Sequence, residues 1–231
     1  MQNTKVVVGI VLASLVLLVA GAFLFQRQGE QVKGEATAVA DPERLVREDD
    51  YTITATASAE ATESGETRER VQVVEFADFQ CPACKAAYPP VKQMLETYGD
   101  EVTFVFRHFP LRTTHKNAFV AALAAEAAGA QGKFWEMNDV LFERQKEWED
   151  SGDPVSQFAD YAAEIELDVT AFRQSVEIEQ FADRIDQDVQ DGFALGVNST
   201  PTFFVNGKKV TGALTTAQWQ QLIGGEINLS D

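Results

Sequence analysis

The feature that most constrains the fold is a short apolar segment that ends at the only two cysteines of the chain, Cys81 and Cys84. Residues 71–76 are rich in β-branched and aromatic side chains, which predicts a strand that is buried on both faces. Pro82 follows the first cysteine, and proline is preferred at the first position of a helix. The sequence therefore predicts a helix with Cys81 at its positively polarised N-terminus, where a thiolate is favoured.

Two other roles for the cysteine pair remain open. A zinc site would need His108 and His115 as further ligands, but the six residues between them exceed the usual three to five. A purely structural disulfide would close a very small loop and would stabilise the fold little. We interpret both histidines, and Asp78, as packing, hydrogen-bonding or capping residues. Thiol-disulfide exchange is the preferred hypothesis.

The N-terminal part of the chain carries an unbroken run of apolar and small residues at 6–25. About 20 residues at helical rise span a bilayer, so we predict a transmembrane signal anchor that follows a cytoplasmic N-terminus at 1–5. A cleaved signal peptide is the alternative, because residues 20–22 have a small-x-small pattern, although the run continues past that site. A lone cysteine pair suits an oxidising compartment, so we expect the catalytic domain on the extracytoplasmic side of the cell membrane.

Residues 26–69 are rich in Glu, Ala, Thr and Ser and poor in aromatic residues, which predicts an acidic linker that does not fold by itself. Within it, residues 41–46 are compatible with a short helical lead-in, and Tyr51 begins a four-residue segment that is compatible with a lead-in edge strand. The formal net charge of −17 argues against nucleic acid as a partner, because nucleic-acid binding needs a basic face.

Beyond the cysteines the pattern alternates between helical and strand periods. Apolar residues at helical spacing continue the first helix to Gly99, and residues 102–106 predict a second strand, which completes a βαβ unit. The segment from about 115 to 196 is helical throughout and far longer than an ordinary connection, so we predict an inserted helical subdomain. Its predicted helices lie near 118–129, 134–141, 154–162, 169–176 and 181–193, the last with Phe181, Ile185, Val189 and Phe193 on its apolar face.

The C-terminal part predicts a hairpin followed by a helix. Residues 202–205 and 208–211 have strand composition, and Asn206-Gly207 between them is a strong hairpin signal. Thr215, with glutamine three residues later, forms a capping box that opens the last helix. This part is therefore a ββα unit.

The βαβ-then-ββα order, with Cys-x-x-Cys at the first helix and Thr200-Pro201 before the hairpin, resembles the thioredoxin fold. The helical insertion narrows the resemblance to the DsbA family of extracytoplasmic disulfide oxidoreductases, whose membrane-anchored and exported members have stretches similar to 74–84, 106–111 and 132–135. The resemblance implies an α/β thioredoxin-like domain at 70–231, with a mixed central sheet and an inserted helical subdomain.

The resemblance also implies roles for individual residues. Cys81 corresponds to the exposed attacking cysteine, and Cys84 to the buried partner that resolves the mixed disulfide. Pro201 corresponds to the family's cis-proline, and the Thr200 backbone is implied to receive a substrate strand. Glu75 stands where related proteins hold a buried acid that handles the proton of the second cysteine, and a carboxylate in a buried strand has the raised pKa that such a role needs.

One position departs from the family pattern. Ala83 stands where DsbA has a histidine that stabilises the thiolate of the first cysteine, so we expect Cys81 to be less acidified than in the strongest oxidants. Ala83 and Pro82 are, with Thr200, the predicted substrate contacts. No metal and no cofactor is implied, because the Cys81–Cys84 disulfide is itself the redox-active group.

The function implied by the resemblance is donation of this disulfide to unfolded or reduced exported proteins, followed by recharging by a membrane reoxidase similar to DsbB. One alternative is a disulfide reductase or isomerase that uses the same pair in the other direction. Another alternative is a non-enzymatic, membrane-anchored holdase module that binds substrates and keeps a quiet disulfide.

Overall fold

The computed structural model describes residues 45–54 and 70–229. Within this part, the strands are β1 (Tyr51–Thr54), β2 (Val71–Ala77), β3 (Val102–His108), β4 (Thr202–Val205) and β5 (Lys208–Thr211). The helices are α1 (Pro82–Tyr98), α2 (Ala118–Gly129), α3 (Phe134–Glu143), α4 (Gln145–Trp148), α5 (Pro154–Glu164), α6 (Val169–Glu177), α7 (Ala182–Ala194) and α8 (Thr216–Leu229).

The strands form one mixed sheet in the order β1-β3-β2-β4-β5. β2 and β3 are parallel, and the other neighbouring pairs are antiparallel. β2 and β4 are buried along nearly their whole length, because other strands flank them and helices cover the sheet. The predicted α/β fold with a mixed sheet is confirmed, and the predicted edge strand at Tyr51 pairs with β3.

Local sequence signals explain where the elements after the insertion begin and turn. Asn206 and Gly207 have φ values of 45° and 76°, the left-handed conformation that a tight hairpin requires. At the start of α8, the Gln218 amide donates to the Thr215 hydroxyl at 3.3 Å, and the Thr215 amide donates to the Gln218 side chain at 2.9 Å. The predicted hairpin and capping box are confirmed.

The helices α2 to α7 lie between β3 and β4 in the chain and correspond to the predicted helical insertion. Its core is formed by α2, in which every residue from Ala121 to Ala128 is buried. Small side chains allow the neighbouring helices to approach α2 closely. Phe134, Trp148, Phe158 and Phe172 are large buried side chains of the insertion and belong to the same core cluster as this helix.

The face that α7 buries differs from the apolar face predicted for it. Ile185 is buried as expected, but Phe193 is 63 % exposed, whereas Asp188 and Asp191 are almost fully buried. The helix is turned because Arg107 of β3, which has no exposed surface, binds both aspartates at 2.7 Å. Leaving the buried Arg107 guanidinium without its carboxylate partners would cost more free energy than leaving Phe193 exposed.

The same charged cluster holds the lead-in segment, Leu45 to Asp50, against the domain. Arg107 Nη1 donates to the Leu45 carbonyl at 3.1 Å, and Arg47 forms an ion pair with Asp188. Leu45 to Asp50 forms turns, so the predicted helical lead-in does not extend into residues 45 and 46; residues 41–44 lie outside the described part.

A second contact fixes β1 on α2. The Tyr51 ring occupies the space beside Gly129, where a Cβ atom would lie 2.1 Å from its hydroxyl oxygen. The Tyr51 hydroxyl donates to Glu126 at 3.0 Å, and Glu126 also binds His108 and Arg184. Any larger residue at position 129 would therefore displace the Tyr51 ring.

The predicted transmembrane anchor at 6–25 and most of the predicted linker at 26–69 lie outside the described residues. Within residues 45–54 and 70–229, no helix has both the length and the apolar character that a membrane crossing requires.

Candidate functional site

The cysteine pair lies where β2 leads into α1. Cys81 is the N-cap residue of α1, with φ −69° and ψ 123°, and Pro82 takes the first helical position. Cys81 is 7 % exposed and Cys84, one turn into the helix, is fully buried. Pro82 and Ala83 are exposed beside Cys81, so an incoming chain can reach only this end of the pair.

The segment before β4 lies against the attacking side of the pair. The peptide bond between Thr200 and Pro201 is cis. The Cys81 thiol lies 3.5 Å from the Thr200 carbonyl oxygen, to which it donates. The Thr200 hydroxyl is buried and has no hydrogen-bond partner among the described residues. It is therefore placed to donate to a Cys81 thiolate once the thiol loses its proton.

The surroundings of Cys81 lower its pKa from an ordinary 9.0 to about 5. The largest cause is the hydrogen bond from the Cys84 thiol; the Thr200 hydroxyl and the backbone amides of Cys84 and Ala83 lower the pKa further, against the effect of burial. Ala83 thus contributes through its backbone N–H at the helix N-terminus. This pKa lies between about 3.5 and about 7, the values typical of the strongest oxidant and of thioredoxin.

Cys84 has the opposite environment. Burial is the largest cause that raises its pKa well above 9.0, and the negative charges of Cys81 and Glu75 raise it further. Glu75 itself lies in the middle of β2 and is 4 % exposed, and burial raises its pKa from 4.5 to about 8. The Glu75 carboxyl group, which is mostly protonated near neutral pH, therefore lies close to the Cys84 sulfur, whose pKa is raised.

The turn between β2 and α1 is organised by Asp78, which is 1 % exposed. Its carboxylate accepts from the Gln80 amide at 2.7 Å, from the Leu111 amide at 2.8 Å and from His115 Nδ1 at 2.7 Å. Its own amide donates to Cys84 Sγ at 3.5 Å. Asp78 is therefore a buried capping residue of the active-site turn, and His115 is its hydrogen-bond partner.

Hydrogen bonds of amide side chains connect the same turn to the helical insertion. The sequence pattern did not identify these side chains as part of the site. Gln145 Nε2 donates to the carbonyls of Phe79 at 2.7 Å and Cys81 at 3.1 Å. Gln80 accepts from the Asn117 amide at 2.7 Å. These contacts join residues far apart in sequence, so only a folded structure could reveal them. They fix the position of Cys81 relative to the insertion.

His108 does not reach the cysteine pair. It is buried and its Nε2 lies 3.0 Å from Glu126, in the contact that supports β1. Across the part of the chain that the structure describes, no three His, Cys, Asp or Glu side chains are grouped so that they could hold a metal ion. His108 and His115 bind separate carboxylates, which argues against a zinc site shared with the cysteines.

A mixed sheet with a cysteine pair at the N-terminus of its first helix, a cis-proline facing the pair and a helical insertion defines the thioredoxin-like fold. The chain belongs to the thioredoxin family, since the family model described as thioredoxin matches residues 57–224.

Solved structures share this fold. Alpha-DsbA1 of Wolbachia pipientis has a TM-score of 0.67 at 19 % identity, over 80 % of this chain and 94 % of that one. BdbD of Bacillus subtilis, in its oxidised form, has a TM-score of 0.65 at 22 % identity, over 84 % and 98 %. A thioredoxin-like oxidoreductase of Silicibacter pomeroyi DSS-3 has a TM-score of 0.62 at 25 % identity, over 82 % and 99 %.

Curated relatives are similar to only part of the chain. The Na(+)/H(+) antiporter NhaA 3 of Salinispora tropica is 44 % identical over 139 residues, which are 60 % of this chain and 20 % of the antiporter. The Na(+)/H(+) antiporter NhaA 1 of Mycobacterium sp. strain KMS is 41 % identical over 142 residues, 61 % and 22 % of the two chains. The similarity thus spans about a fifth of the length of these relatives.

Proposed function

We propose that this protein is an extracytoplasmic protein disulfide oxidoreductase that donates a Cys81–Cys84 disulfide to exported proteins. The observation that carries the proposal is the asymmetry of the pair. Cys81 is the reachable sulfur and its pKa is lowered to about 5, whereas Cys84 is buried and its pKa is raised. A good leaving thiolate on the reachable side is what disulfide donation requires.

The reaction proceeds in two exchange steps. A substrate thiolate attacks Cys81 Sγ, the Cys81–Cys84 bond breaks, and Cys84 takes the electron pair and, because of its raised pKa, a proton. The protonated Glu75 carboxyl is the source of that proton. A second substrate thiolate then attacks the substrate sulfur of the mixed disulfide. Cys81 leaves as a thiolate, the substrate keeps the new disulfide, and the pair has gained two electrons.

The low pKa of Cys81 favours the oxidising direction. A thiolate that is stable in the reduced protein stabilises the reduced form and makes the disulfide more ready to accept electrons. Lowering the pKa from 9.0 to about 5 stabilises the reduced form at pH 7 by up to about 3 kcal/mol. For a two-electron couple this corresponds to a reduction potential about 60 mV higher than that of an unperturbed pair.

The surface around Cys81 supports a role for neighbouring residues in substrate binding. Pro82 and Ala83 are exposed on one side of it, and Thr200 with Pro201 lies on the other. We propose that the Thr200 backbone pairs with an extended substrate segment. Pro82 and Ala83 would contact the other side of that segment. Such pairing suits unfolded chains, because backbone hydrogen bonds are available in any sequence.

Location at a membrane is part of the proposal. The apolar run at 6–25 supports a single-pass anchor, and the matching of this domain to a segment of proteins named Na(+)/H(+) antiporters supports a place beside a membrane. A membrane reoxidase would then recharge the pair by the reverse exchange.

The reduction potential of the full-length protein, measured by equilibration with glutathione buffers, tests the direction. We expect a value well above that of thioredoxin, about −270 mV. A value at or below it would assign the reductase direction to the same pair. In parallel, Cys81→Ser should abolish oxidation of a reduced peptide and Cys84→Ser should trap mixed disulfides. Full oxidation of the reduced peptide by the Cys81→Ser protein would refute the proposed enzymatic activity.

A further inference from the structure

A cavity of about 310 Å³ lies between α1, α3 and the sheet, and neither cysteine lines it. Five aromatic rings from α1, β3 and α3 form much of its walls. They belong to Tyr88, Phe104, Phe106, Trp135 and Phe142. An apolar cavity of about 150 Å³ already admits benzene, so this cavity has room for a ring that carries a side chain.

Glu75 is a buried carboxyl group in the lining of this cavity. Along β2 its side chain lies on the opposite face from that of Phe76, because strand residues alternate, and so it points toward α1 and α3. It is 4 % exposed and makes no hydrogen bond or ion pair within the part of the chain that the structure describes. Its oxygens nevertheless keep accessible surface, whereas Asn138 Nδ2 in the same lining has almost none. A ligand in the cavity can therefore reach Glu75.

Three charged side chains line the cavity where it reaches the surface: Lys92, Glu96 and Asp139. Lys92 pairs with Asp139 at 2.9 Å, and its ammonium nitrogen lies 5.2 Å from the centre of the Tyr88 ring. One ring of the cavity thus already holds a cation together with a carboxylate. Of the carboxyl and amino groups that line the cavity, those without a counter-charge among the described residues are the carboxyls of Glu75 and Glu96.

We propose that this cavity binds a small organic ammonium ion, with its charged nitrogen beside the Glu75 carboxylate and its apolar body against the aromatic rings. The faces of aromatic rings attract a cation, and the carboxylate supplies its counter-charge. The ammonium also donates a charge-assisted hydrogen bond to Glu75, which no described residue supplies. An anion would instead meet the carboxyls of Glu75 and Glu96, and a neutral molecule would leave Glu75 without a counter-charge.

Binding of this cation is linked to the proton of Glu75. Burial keeps the carboxyl mostly protonated near neutral pH, with a pKa of about 8. An ammonium beside it favours the ionised form, so Glu75 releases its proton to water when the ligand binds. Below this pKa the ionised fraction rises about tenfold for each pH unit, and the affinity for the cation rises with it. An apolar cavity without a carboxylate would lack this pH dependence.

Other titratable groups face Glu75 or the cavity from α1 and α3, and the experiment must separate them from Glu75. They are Cys84, Tyr88, Lys92, Glu96 and Asp139. Cys84 does not titrate in the disulfide form of the protein, and the pKa of Tyr88 is raised further above its ordinary value, mainly by burial. The rim groups are tested by single replacements: Lys92→Gln, Glu96→Gln and Asp139→Asn.

Three probes of similar shape separate the ligand classes: benzylammonium, benzyl alcohol and benzoate. The full-length protein in its disulfide form is labelled with 5-fluorotryptophan, and binding is followed by fluorine NMR. The chain has three tryptophans, of which Trp135 lines the cavity, whereas Trp148 and Trp219 are fully buried elsewhere and serve as internal references. Trp135→Phe assigns the resonance.

We expect benzylammonium to shift the Trp135 resonance in a saturable way. At pH 7 it should bind about fivefold more tightly than benzyl alcohol, a ratio that a charged hydrogen bond in place of a neutral one supports. Its dissociation constant should be about tenfold lower at pH 7 than at pH 6, because the ionised fraction of Glu75 rises by that factor. Glu75→Gln should remove this pH dependence, since an amide does not ionise, and the three rim variants should retain it.

Three results would overturn the proposal. The first is the lack of any saturable Trp135 shift with benzylammonium. The second is binding of benzyl alcohol or benzoate as tight as that of benzylammonium. The third is an equal dissociation constant of benzylammonium at pH 6 and pH 7. All three are measured on the unmodified sequence, so none depends on the folding of a variant, and none bears on whether the Cys81–Cys84 pair is an oxidant.

Discussion

Replacing Glu75 by glutamine should make the protein more stable, by an amount that depends on pH. The glutamate is 4 % exposed, and burial raises its pKa to about 8, from 4.5 for an ordinary glutamate. Between these two values the folded protein holds a proton that the unfolded chain has released. Stability therefore falls as the pH rises through this window, by about 1 kcal/mol at pH 5 and about 3 kcal/mol at pH 7.

The amide of glutamine has the same shape as the protonated acid and does not titrate. The stability of the variant therefore does not fall with pH in the way that Glu75 causes. We expect Glu75→Gln to raise the free energy of unfolding by about 2 kcal/mol more at pH 7 than at pH 5. The comparison of two pH values cancels any constant difference between burying an amide and burying an acid. Urea unfolding of the disulfide form measures it, because neither cysteine then titrates.

Glu96→Gln is the matched control, since Glu96 is a glutamate of α1 that is exposed. Its effect should be the same at both pH values. If Glu75→Gln also gave equal changes at pH 5 and pH 7, Glu75 would titrate in the folded protein as it does in the unfolded chain. Its proposed role as a proton donor to Cys84 near neutral pH would then be wrong.

Three further predictions concern the thiols and the buried charges. Alkylation of Cys81 by iodoacetamide should rise with pH around a midpoint near 5, and Cys84→Ala should move that midpoint upward because it removes the strongest hydrogen bond to the thiolate. Thr200→Val should also raise the pKa of Cys81 and lower the reduction potential measured against glutathione. Asp188→Asn should reduce the free energy of urea unfolding by about 1–3 kcal/mol, because the fully buried Arg107 loses one of its two carboxylate partners at 2.7 Å.

Each of these has a contrary outcome. An alkylation midpoint near 9 would show that the helix N-terminus and Cys84 do not acidify Cys81. An unchanged reduction potential in the Thr200→Val protein would show that the Thr200 hydroxyl does not donate a hydrogen bond to the Cys81 thiolate. For the Arg107–Asp188 pair the control is Asp183→Asn, on the exposed side of α7. Equal changes in the free energy of unfolding of the two aspartate variants would show that the buried Arg107 cluster does not contribute to stability.

Local signals in the sequence were sufficient for most of the fold. The proline after Cys81, the Asn206-Gly207 turn and the Thr215 capping box each act over a few residues, so each predicts its element without knowledge of the rest. The order of helices and strands, and with it the α/β class, followed from these elements and from apolar periodicity. The place of Glu75 within a buried strand could be inferred in the same way, from the apolar residues on both sides of it.

Contacts between distant segments could not be predicted. Asp188 and Asp191 occur on a helix in a pattern that is typical of a solvated face, and only their pairing with Arg107 explains why they are buried. Gln145 likewise has no local feature that marks it as a support for the active-site turn. Polar residues are buried when a partner elsewhere satisfies them, and a single sequence does not specify that partner.

The attachment of the lead-in segment has a mechanical consequence. A pull on the chain before residue 45 would be borne first by the Leu45 carbonyl on Arg107 and by the ion pair of Arg47 with Asp188. It would be borne next by the pairing of β1 with β3 at the sheet edge. The load therefore passes into β3 and α7, through Arg107 and Asp188, before it reaches the turn that carries Cys81.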